Sequence, residues 1–177
     1  MNVPELIARL VADPRLPFLI IGGYAVAAHG YPRLTYDPDL MIPRSAAANW
    51  RTRLVGEGYE VQAEQATFLQ FSRGSDDLGL DLMLVSDETF RGLSTEAQPI
   101  RFGAVEARMP SLDHLLALKL HVLKQGLRPR VAKDLNDVVM LVLKNGLDIR
   151  AEKYEKLFLK YGNADLYAKT LQATAPD

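Results

Sequence analysis

The first thirty residues combine two helical patterns with one apolar run. Apolar residues at 6, 7, 10 and 11 share one face of a helix, which Asp13–Pro14 ends. The unbroken apolar run over 18–21, closed by Gly22–Gly23, predicts a short buried strand. A second helix is predicted over 24–29, because Gly30 followed by Pro32 is typical of a helix C-terminus.

The middle of the chain has the two-residue alternation of β-strands. In Leu80–Val85 the three leucines fall on one face and Asp81 and Met83 on the other. Ser45 is predicted to cap a helix over 46–55, and Arg73–Asp77 to form a turn. Strands are predicted over 34–42, 59–62, 67–72 and 80–85, with two short strands around Ile100 and 105–107 that complete the sheet.

The pattern becomes helical throughout after Pro110. We predict a helix from Ser111 to near Gly126, a second over 131–144, and two shorter helices within 149–171. Strands followed by helices are typical of an α+β fold. The chain is therefore predicted to have a mixed β-sheet core flanked by helices over residues 1–110, with a helical portion over residues 111–177 packed on it.

Composition excludes several classes of protein. The 177 residues include no cysteine, so a disulfide scaffold, a cysteine-ligated metal and a thiol nucleophile are excluded. A net charge of -1 is unlike that of a protein whose whole surface binds nucleic acid. No apolar run reaches the ~18–20 residues of a membrane helix, and the N-terminus lacks a signal-peptide pattern. We expect a cytoplasmic protein without a membrane partner.

Asp37, Asp39 and Asp81 are the candidate metal ligands. In an extended segment Asp37 and Asp39 project from the same face, about 7 Å apart, and Asp81 lies on the polar face of another strand. Carboxylates without cysteine or clustered histidine favour Mg²⁺ or Mn²⁺ over zinc. Three of them suit the pair of ions that stabilises both oxygens in phosphoryl transfer.

Each of these features also has a simpler explanation. Asp37–Pro38–Asp39 has the composition of a turn, because proline is confined to the edges and bulges of sheets. Gly22–Gly23, between a strand and a helix, either allows a phosphate to approach the backbone or forms a tight turn. Arg33 either clamps phosphate oxygens with its planar guanidinium or lies on the surface.

Two segments together resemble a known family. The run from Gly22 to Gly30, followed by Arg33 to Leu40, is similar to the signature of the DNA polymerase beta-type nucleotidyltransferase superfamily. The resemblance is closest to the bacterial branch of AbiEii/AbiGii-type toxins and minimal nucleotidyltransferases. It implies that Gly22 and Gly23 lie under a nucleoside triphosphate (NTP), and that Asp37, Asp39 and the later Asp81 bind the catalytic metals.

The C-terminal helices extend this likeness. Leu115–Leu120 and Arg130–Asp137 are similar to the lysine and aspartate motifs of the toxin branch. Helix geometry places Lys119 among leucines on the apolar face, and a buried ammonium needs a partner, for which Asp134 is the candidate. Lys119 is interpreted as a contact of the nucleotide phosphates or, alternatively, as a lysine that only extends over a partly exposed helix.

The resemblance implies transfer of a nucleoside monophosphate from an NTP to an acceptor hydroxyl, with release of pyrophosphate. Asp37, Asp39, Asp81, Lys119 and Asp134 are the expected catalytic residues, and Gly22, Gly23, Arg33 and Lys119 the expected nucleotide contacts. The expected acceptor is an RNA 3′ end such as that of tRNA, a protein or a small molecule. The toxin-like C-terminal motifs imply a toxin–antitoxin or phage-defence role, with a cognate antitoxin as partner. The alternative is an inactive nucleotide- or partner-binding module, because Pro38 stands where the family usually has an apolar strand residue.

Overall fold

The computed structural model describes residues 2–74, 78–126 and 131–175, and the chain divides into two compact units. The first unit comprises residues up to 25 together with 33–111. The second comprises residues 26–32 together with 112–177. The short segment 26–32 therefore belongs with the C-terminal helices and not with the strands that surround it in sequence. The predicted turn at 73–77 and Arg130 lie wholly or partly outside the described residues.

A mixed five-stranded sheet forms the centre of the first unit. Its spatial order is β1-β2-β5-β4-β3, in which β2 and β5 are parallel and the other neighbours antiparallel. The predicted α+β class is confirmed. The strands are β1 (Leu19–Ile21), β2 (Asp39–Pro43), β3 (Glu60–Gln65), β4 (Phe68–Ser72) and β5 (Leu80–Val85).

Along the chain, helices and a β-hairpin alternate with the strands of this sheet. Helix α1 begins with a capping box in which Asn2 and Glu5 exchange hydrogen bonds. The helices of this unit are α1 (Val3–Val11), α2 (Gly22–Ala28), of which residues 26–28 belong to the second unit, α3 (Ala47–Gly56) and α4 (Asp87–Thr95). The hairpin consists of β6 (Gln98–Phe102) and β7 (Val105–Met109).

Four local predictions were wrong. Strand β2 begins at Asp39 instead of residue 34, because Pro38 cannot donate to a ladder. Ser45 lies inside a 3-10 turn and does not cap α3. The hairpin forms a sheet of its own and does not complete the main one. Helix α4 was not predicted, although Ser86 caps it and acidic residues follow in its first turn.

Burial alternates along β5 as the leucine pattern requires. Leu80, Leu82 and Leu84 are buried, whereas Asp81 and Met83 are half-buried on the opposite face. Strand β2 is more completely enclosed, with every residue after Asp39 buried. One face of the central strand pair therefore lies in the core, and the opposite face carries Asp39 and Asp81 at one end, followed by buried Met41 and half-buried Met83.

Four helices and the segment 26–32 form the second unit. Leucines of α5 and apolar residues of α6 are buried, and α5 packs against both α6 and α7. The amide of Asn145 donates to the carbonyl of His29 at 2.8 Å, which ties the segment 26–32 to the end of α6. The helices are α5 (Leu112–Gln125), α6 (Val131–Lys144), α7 (Glu152–Tyr161) and α8 (Ala164–Ala173).

Helix length and composition also bear on membrane association. Within residues 2–74, 78–126 and 131–175, every helix is too short or too polar to cross a bilayer.

Candidate functional site

Asp39 and Asp81 occupy directly paired positions on the parallel strands β2 and β5. Register partners in neighbouring strands lie about 4.8 Å apart and project from the same face. Gln70 of β4 is the next residue in this row, and its amide donates to Oδ1 of Asp81 at 3.0 Å. The structure thus brings two predicted metal ligands together on the half-buried face of the sheet.

Asp37 lies outside the strand, at an exposed bend. The backbone N–H of Gly79 donates to its Oδ1 at 2.9 Å. Because Asp39 pairs with Asp81, Asp37 lies level with Gly79, two residues earlier on both segments. The carboxylate of Asp37 therefore lies against the backbone just before β5.

Pro38 does not disrupt the parallel pairing of β2 and β5. Its carbonyl accepts a hydrogen bond from the backbone N–H of Asp81 at 3.3 Å. The residue is buried and precedes the first paired position of β2, so its missing N–H removes no ladder bond at Asp39 or beyond.

The glycine pair gives room to the acidic strand and to the segment before it. Gly22 has φ +61, and a Cβ there would lie 1.9 Å from Oδ2 of Asp39. A Cβ on Gly23 would lie 2.5 Å from Oγ1 of Thr35 and 3.1 Å from Nη1 of Arg33. These glycines are required where they stand because side chains from the segment 33–39 fill the space that a Cβ would occupy.

Arg33 and Thr35 alternate with exposed apolar residues. Both are half-buried against Gly23, whereas Leu34 and Tyr36 are 74% and 69% exposed. Nη1 of Arg33 also contacts the carbonyl of Leu34 at 3.5 Å. The predicted phosphate clamp thus lies beside the glycine pair, with a hydroxyl next to it that the sequence analysis did not single out.

Tyr24 is a further residue of this region that the sequence analysis missed. Its hydroxyl donates to the carbonyl of Tyr36 at 3.2 Å, and its ring meets that of Phe102 edge-on at 5.5 Å. Burial, and after it the negative charge of Asp37, raise the pKa of Tyr24 above its ordinary value. The phenol therefore lies near Asp37 and holds the backbone that precedes it.

The donor set fits a hard divalent cation in part. Asp39 and Asp81 present carboxylate oxygens on one face, which is the chemistry that Mg²⁺ and Mn²⁺ prefer. Among the residues that the structure describes, no three acidic or histidine side chains are grouped closely enough to hold a metal. Asp37 is the third candidate, and its Oδ1 is bonded to Gly79.

Lys119 lies in the second unit, between two carboxylates. Its Nζ is 2.6 Å from Oδ1 of Asp134 and 2.6 Å from Oδ2 of Asp137. The side chains of Lys119, Asp134 and Asp137 are 11%, 14% and 0% exposed. The predicted pairing with Asp134 is present, and Asp137 joins it as a residue that sequence reasoning missed. Asp137 lies three residues after Asp134 and next to the buried Val138, a spacing that places it on the same helix face.

Two of the three comparisons with known proteins found nothing. No protein-family model matches the chain, and no curated protein matches it either. The predicted resemblance to AbiEii-type toxins is therefore not supported by a family match.

Solved structures do resemble this chain. The antibiotic-resistance factor ANT(2″)-Ia, in complex with adenylyl-2″-tobramycin, has a TM-score of 0.64 at 19% identity over 89% of this chain and 93% of that one. A nucleotidyltransferase-like antigen of Paracoccidioides brasiliensis has a TM-score of 0.55 at 16% identity over 99% and 92%. The lincosamide antibiotic adenylyltransferase LnuA, bound to lincomycin, has a TM-score of 0.53 at 12% identity over 80% and 99%.

These structures establish the fold. At such low identity the shared property is the backbone arrangement, and this chain has a nucleotidyltransferase-like fold. The expected fold is therefore confirmed, whereas activity depends on the side chains described above.

Proposed function

We propose that this protein is a metal-dependent nucleotidyltransferase that moves a nucleoside monophosphate from an NTP to an acceptor hydroxyl and releases pyrophosphate. The observation that carries the proposal is the pairing of Asp39 with Asp81 on one face of a nucleotidyltransferase-like sheet. Two like charges at this separation repel each other, and a divalent cation bound between them would offset that repulsion.

The proposed roles follow from position. Asp39 and Asp81, with Asp37 beside them, would hold Mg²⁺ or Mn²⁺. A divalent cation bound there supplies charge neutralisation for the triphosphate and the departing pyrophosphate. Asp81 takes or orients the proton of the acceptor hydroxyl. The hydroxyl oxygen attacks the α-phosphorus, and the bond between that phosphorus and pyrophosphate breaks.

The remaining residues bind and orient the nucleotide in this proposal. Arg33 clamps phosphate oxygens, and Gly22 and Gly23, which leave room for side chains of the segment 33–39, contact the triphosphate through their backbone N–H groups. Lys119 and Asp134 are proposed as catalytic residues of the second unit, with Lys119 contacting a phosphate through an N–H beyond the two that its carboxylate partners use.

The acceptor is proposed as a small molecule, an RNA 3′ end or a protein hydroxyl. The small-molecule option has support in the ANT(2″)-Ia and LnuA structures, which contain an adenylylated or free antibiotic. A toxin with a cognate antitoxin remains the proposed setting for an RNA or protein acceptor. Either reaction takes place where NTPs are abundant, so we propose a cytoplasmic location.

The direct test is transfer of label from each of four α-³²P-labelled NTPs in the presence of Mg²⁺. Acceptor arms are bulk tRNA, a protein extract and a panel of aminoglycosides and lincosamides. We expect one arm to be labelled by the wild type and by Glu88→Ala, which removes an exposed carboxylate of α4, but not by Asp39→Ala or Asp81→Ala. Labelling that survives both aspartate substitutions contradicts the proposal.

The inactive module is a second candidate, favoured by two observations. Oδ1 of Asp37 accepts from the backbone of Gly79, and the described residues contain no group of three metal ligands. Calorimetry separates the two candidates. Binding of NTP with Mg²⁺, without release of pyrophosphate in any acceptor arm, would favour the module.

A further inference from the structure

Gly79 faces Asp37 from the position where β5 is about to begin. Asp39 and Asp81 are register partners, so Asp37 and Gly79 occupy the preceding level on the same face. Three of these four positions carry carboxylates, and the fourth carries no side chain.

The contacts of Gly79 with Asp37 are close. A Cβ on Gly79 would lie 3.2 Å from Cγ, 3.3 Å from Oδ2 and 3.4 Å from Oδ1 of Asp37. The N–H of the same residue donates to Oδ1 at 2.9 Å. One residue thus provides both the space and the hydrogen bond that hold this carboxylate.

Backbone strain does not explain a glycine at this position. Gly79 is absent from the residues of positive φ, so its backbone accommodates any L-residue. Gly56 and Gly92 of the first unit, by contrast, have no atom within 4 Å of an added Cβ. The carboxylate of Asp37 is therefore what a side chain at position 79 would meet.

We propose that Gly79 is a positioning residue of the acidic site, which fixes the carboxylate of Asp37 beside Asp39 and Asp81. The inference rests on the proposed function for its catalytic consequence. The hydrogen bond directs Oδ1 to the backbone and leaves Oδ2 as the oxygen that Asp37 offers to a cation. A side chain at position 79 displaces that oxygen, although the N–H remains.

The test compares Gly79→Ala and Gly79→Val with Gly92→Ala, an open glycine of α4. Valine favours strands, so it displaces Asp37 without weakening β5 by its own propensity. We expect transfer and Mn²⁺ affinity to fall severalfold with alanine and about 100-fold with valine, as for misplacement of a group by ~1 Å. Gly92→Ala is expected to match the wild type in both measurements.

A double-mutant cycle shows whether the effect acts through Asp37. In an Asp37→Ala background, Gly79→Val is expected to cause no further loss of Mn²⁺ affinity, measured from the electron paramagnetic resonance signal of free Mn²⁺. An equal loss in both backgrounds overturns the inference, because valine would then act on the strand itself.

Amide hydrogen exchange decides the contact independently of activity. Exchange at the N–H of Gly79 is expected to become about tenfold faster in Asp37→Ala, as for loss of a hydrogen bond to a carboxylate. Exchange at the N–H of Leu84, which is bonded to the carbonyl of Thr67 at 2.9 Å, stays unchanged. A wild-type protein that neither transfers label nor binds Mn²⁺ contradicts the proposed function. Faster exchange at Gly79 in Asp37→Ala would still support the contact with Asp37, and unchanged exchange would overturn that contact.

Discussion

Two clusters of charged side chains, one in each unit, differ in burial and in whether they contain charges of both signs. Lys119 and its two carboxylate partners are almost entirely buried, and the ammonium is bonded at 2.6 Å on both sides. Asp39 and Asp81 are half-buried, Asp37 is exposed, and all three carry the same charge. The first cluster contains its own counter-charge, whereas the second consists of like charges and is the proposed cation site. We therefore expect substitution of Asp137, which has no proposed catalytic role, to act mainly on stability, and substitutions in the second cluster to act mainly on activity.

The largest expected effect on stability is that of Asp137→Ala. Removal of a fully buried partner leaves Lys119 with a single carboxylate and costs about 3–5 kcal/mol of the free energy of unfolding. Urea denaturation measures this change. Glu152→Ala is the control, because it breaks an exposed i,i+4 pair with Lys156 and is expected to cost about 0.3–0.5 kcal/mol. Equal costs for the two variants would remove the distinction between the clusters.

Asp39→Asn and Asp81→Asn test the other side of the comparison. Each removes a charge from the cluster without a change of shape, so we expect transfer to fall about 10²–10³-fold, as for loss of one electrostatic contact in a transition state. The loss of unfolding free energy is expected to be smaller than that of Asp137→Ala, since Asp39 and Asp81 are only half-buried. A large loss of stability with intact transfer would assign the pair a structural role.

Gly22→Ala separates backbone strain from contact with Asp39. Alanine in the left-handed region costs about 1–2 kcal/mol, and its Cβ would also meet Oδ2 of Asp39 at 1.9 Å. Gly103→Ala is the matched control, because φ at Gly103 is +64 but an added Cβ has no atom within 4 Å. The difference in unfolding free energy between the two variants measures the cost of the contact with Asp39. Equal unfolding free energies would contradict that contact.

The smallest expected effect is on the titration of Tyr24. Its pKa is raised first by burial and then by the charge of Asp37, so Asp37→Asn is expected to lower that pKa toward its ordinary value. Because the folded-state pKa is raised, stability falls as the pH rises from about 10, the value in the unfolded chain, to the folded pKa. NMR of ¹³C-labelled tyrosine measures the titration, and Glu88→Gln serves as the control. An unchanged Tyr24 titration in Asp37→Asn would show that the two groups are not close.

Local pattern predicted the residues whose signal lies near them in sequence. The alternation in Leu80–Val85 predicted that Asp81 lies on the face opposite the leucines, and the apolar stripe around Lys119 predicted its burial and its carboxylate partner. Asp37–Pro38–Asp39 was ambiguous for the same reason, since both the strand and the turn interpretations used only neighbouring residues. The structure resolves the ambiguity, because Asp39 is in the strand and Asp37 precedes it.

The residues that sequence reasoning missed act across long separations. Gly79 meets Asp37 from 42 positions away, and Tyr24 bonds to the carbonyl of Tyr36 from 12 positions away. Asp137 is 18 positions from Lys119 and joins it only because α5 and α6 pack together. No spacing rule within a strand or helix indicates such contacts.

The order of the strands and of the helices other than α4, the α+β class and the candidate acidic and glycine residues could be inferred from the sequence itself, because side-chain periodicity is a local property of the backbone. Tertiary structure decided which carboxylates lie together, which glycines leave space for them and which charged side chains form buried ion pairs. Those outcomes depend on strand order and register, since the parallel strands β2 and β5 are joined by a long crossover connection that local patterns do not specify.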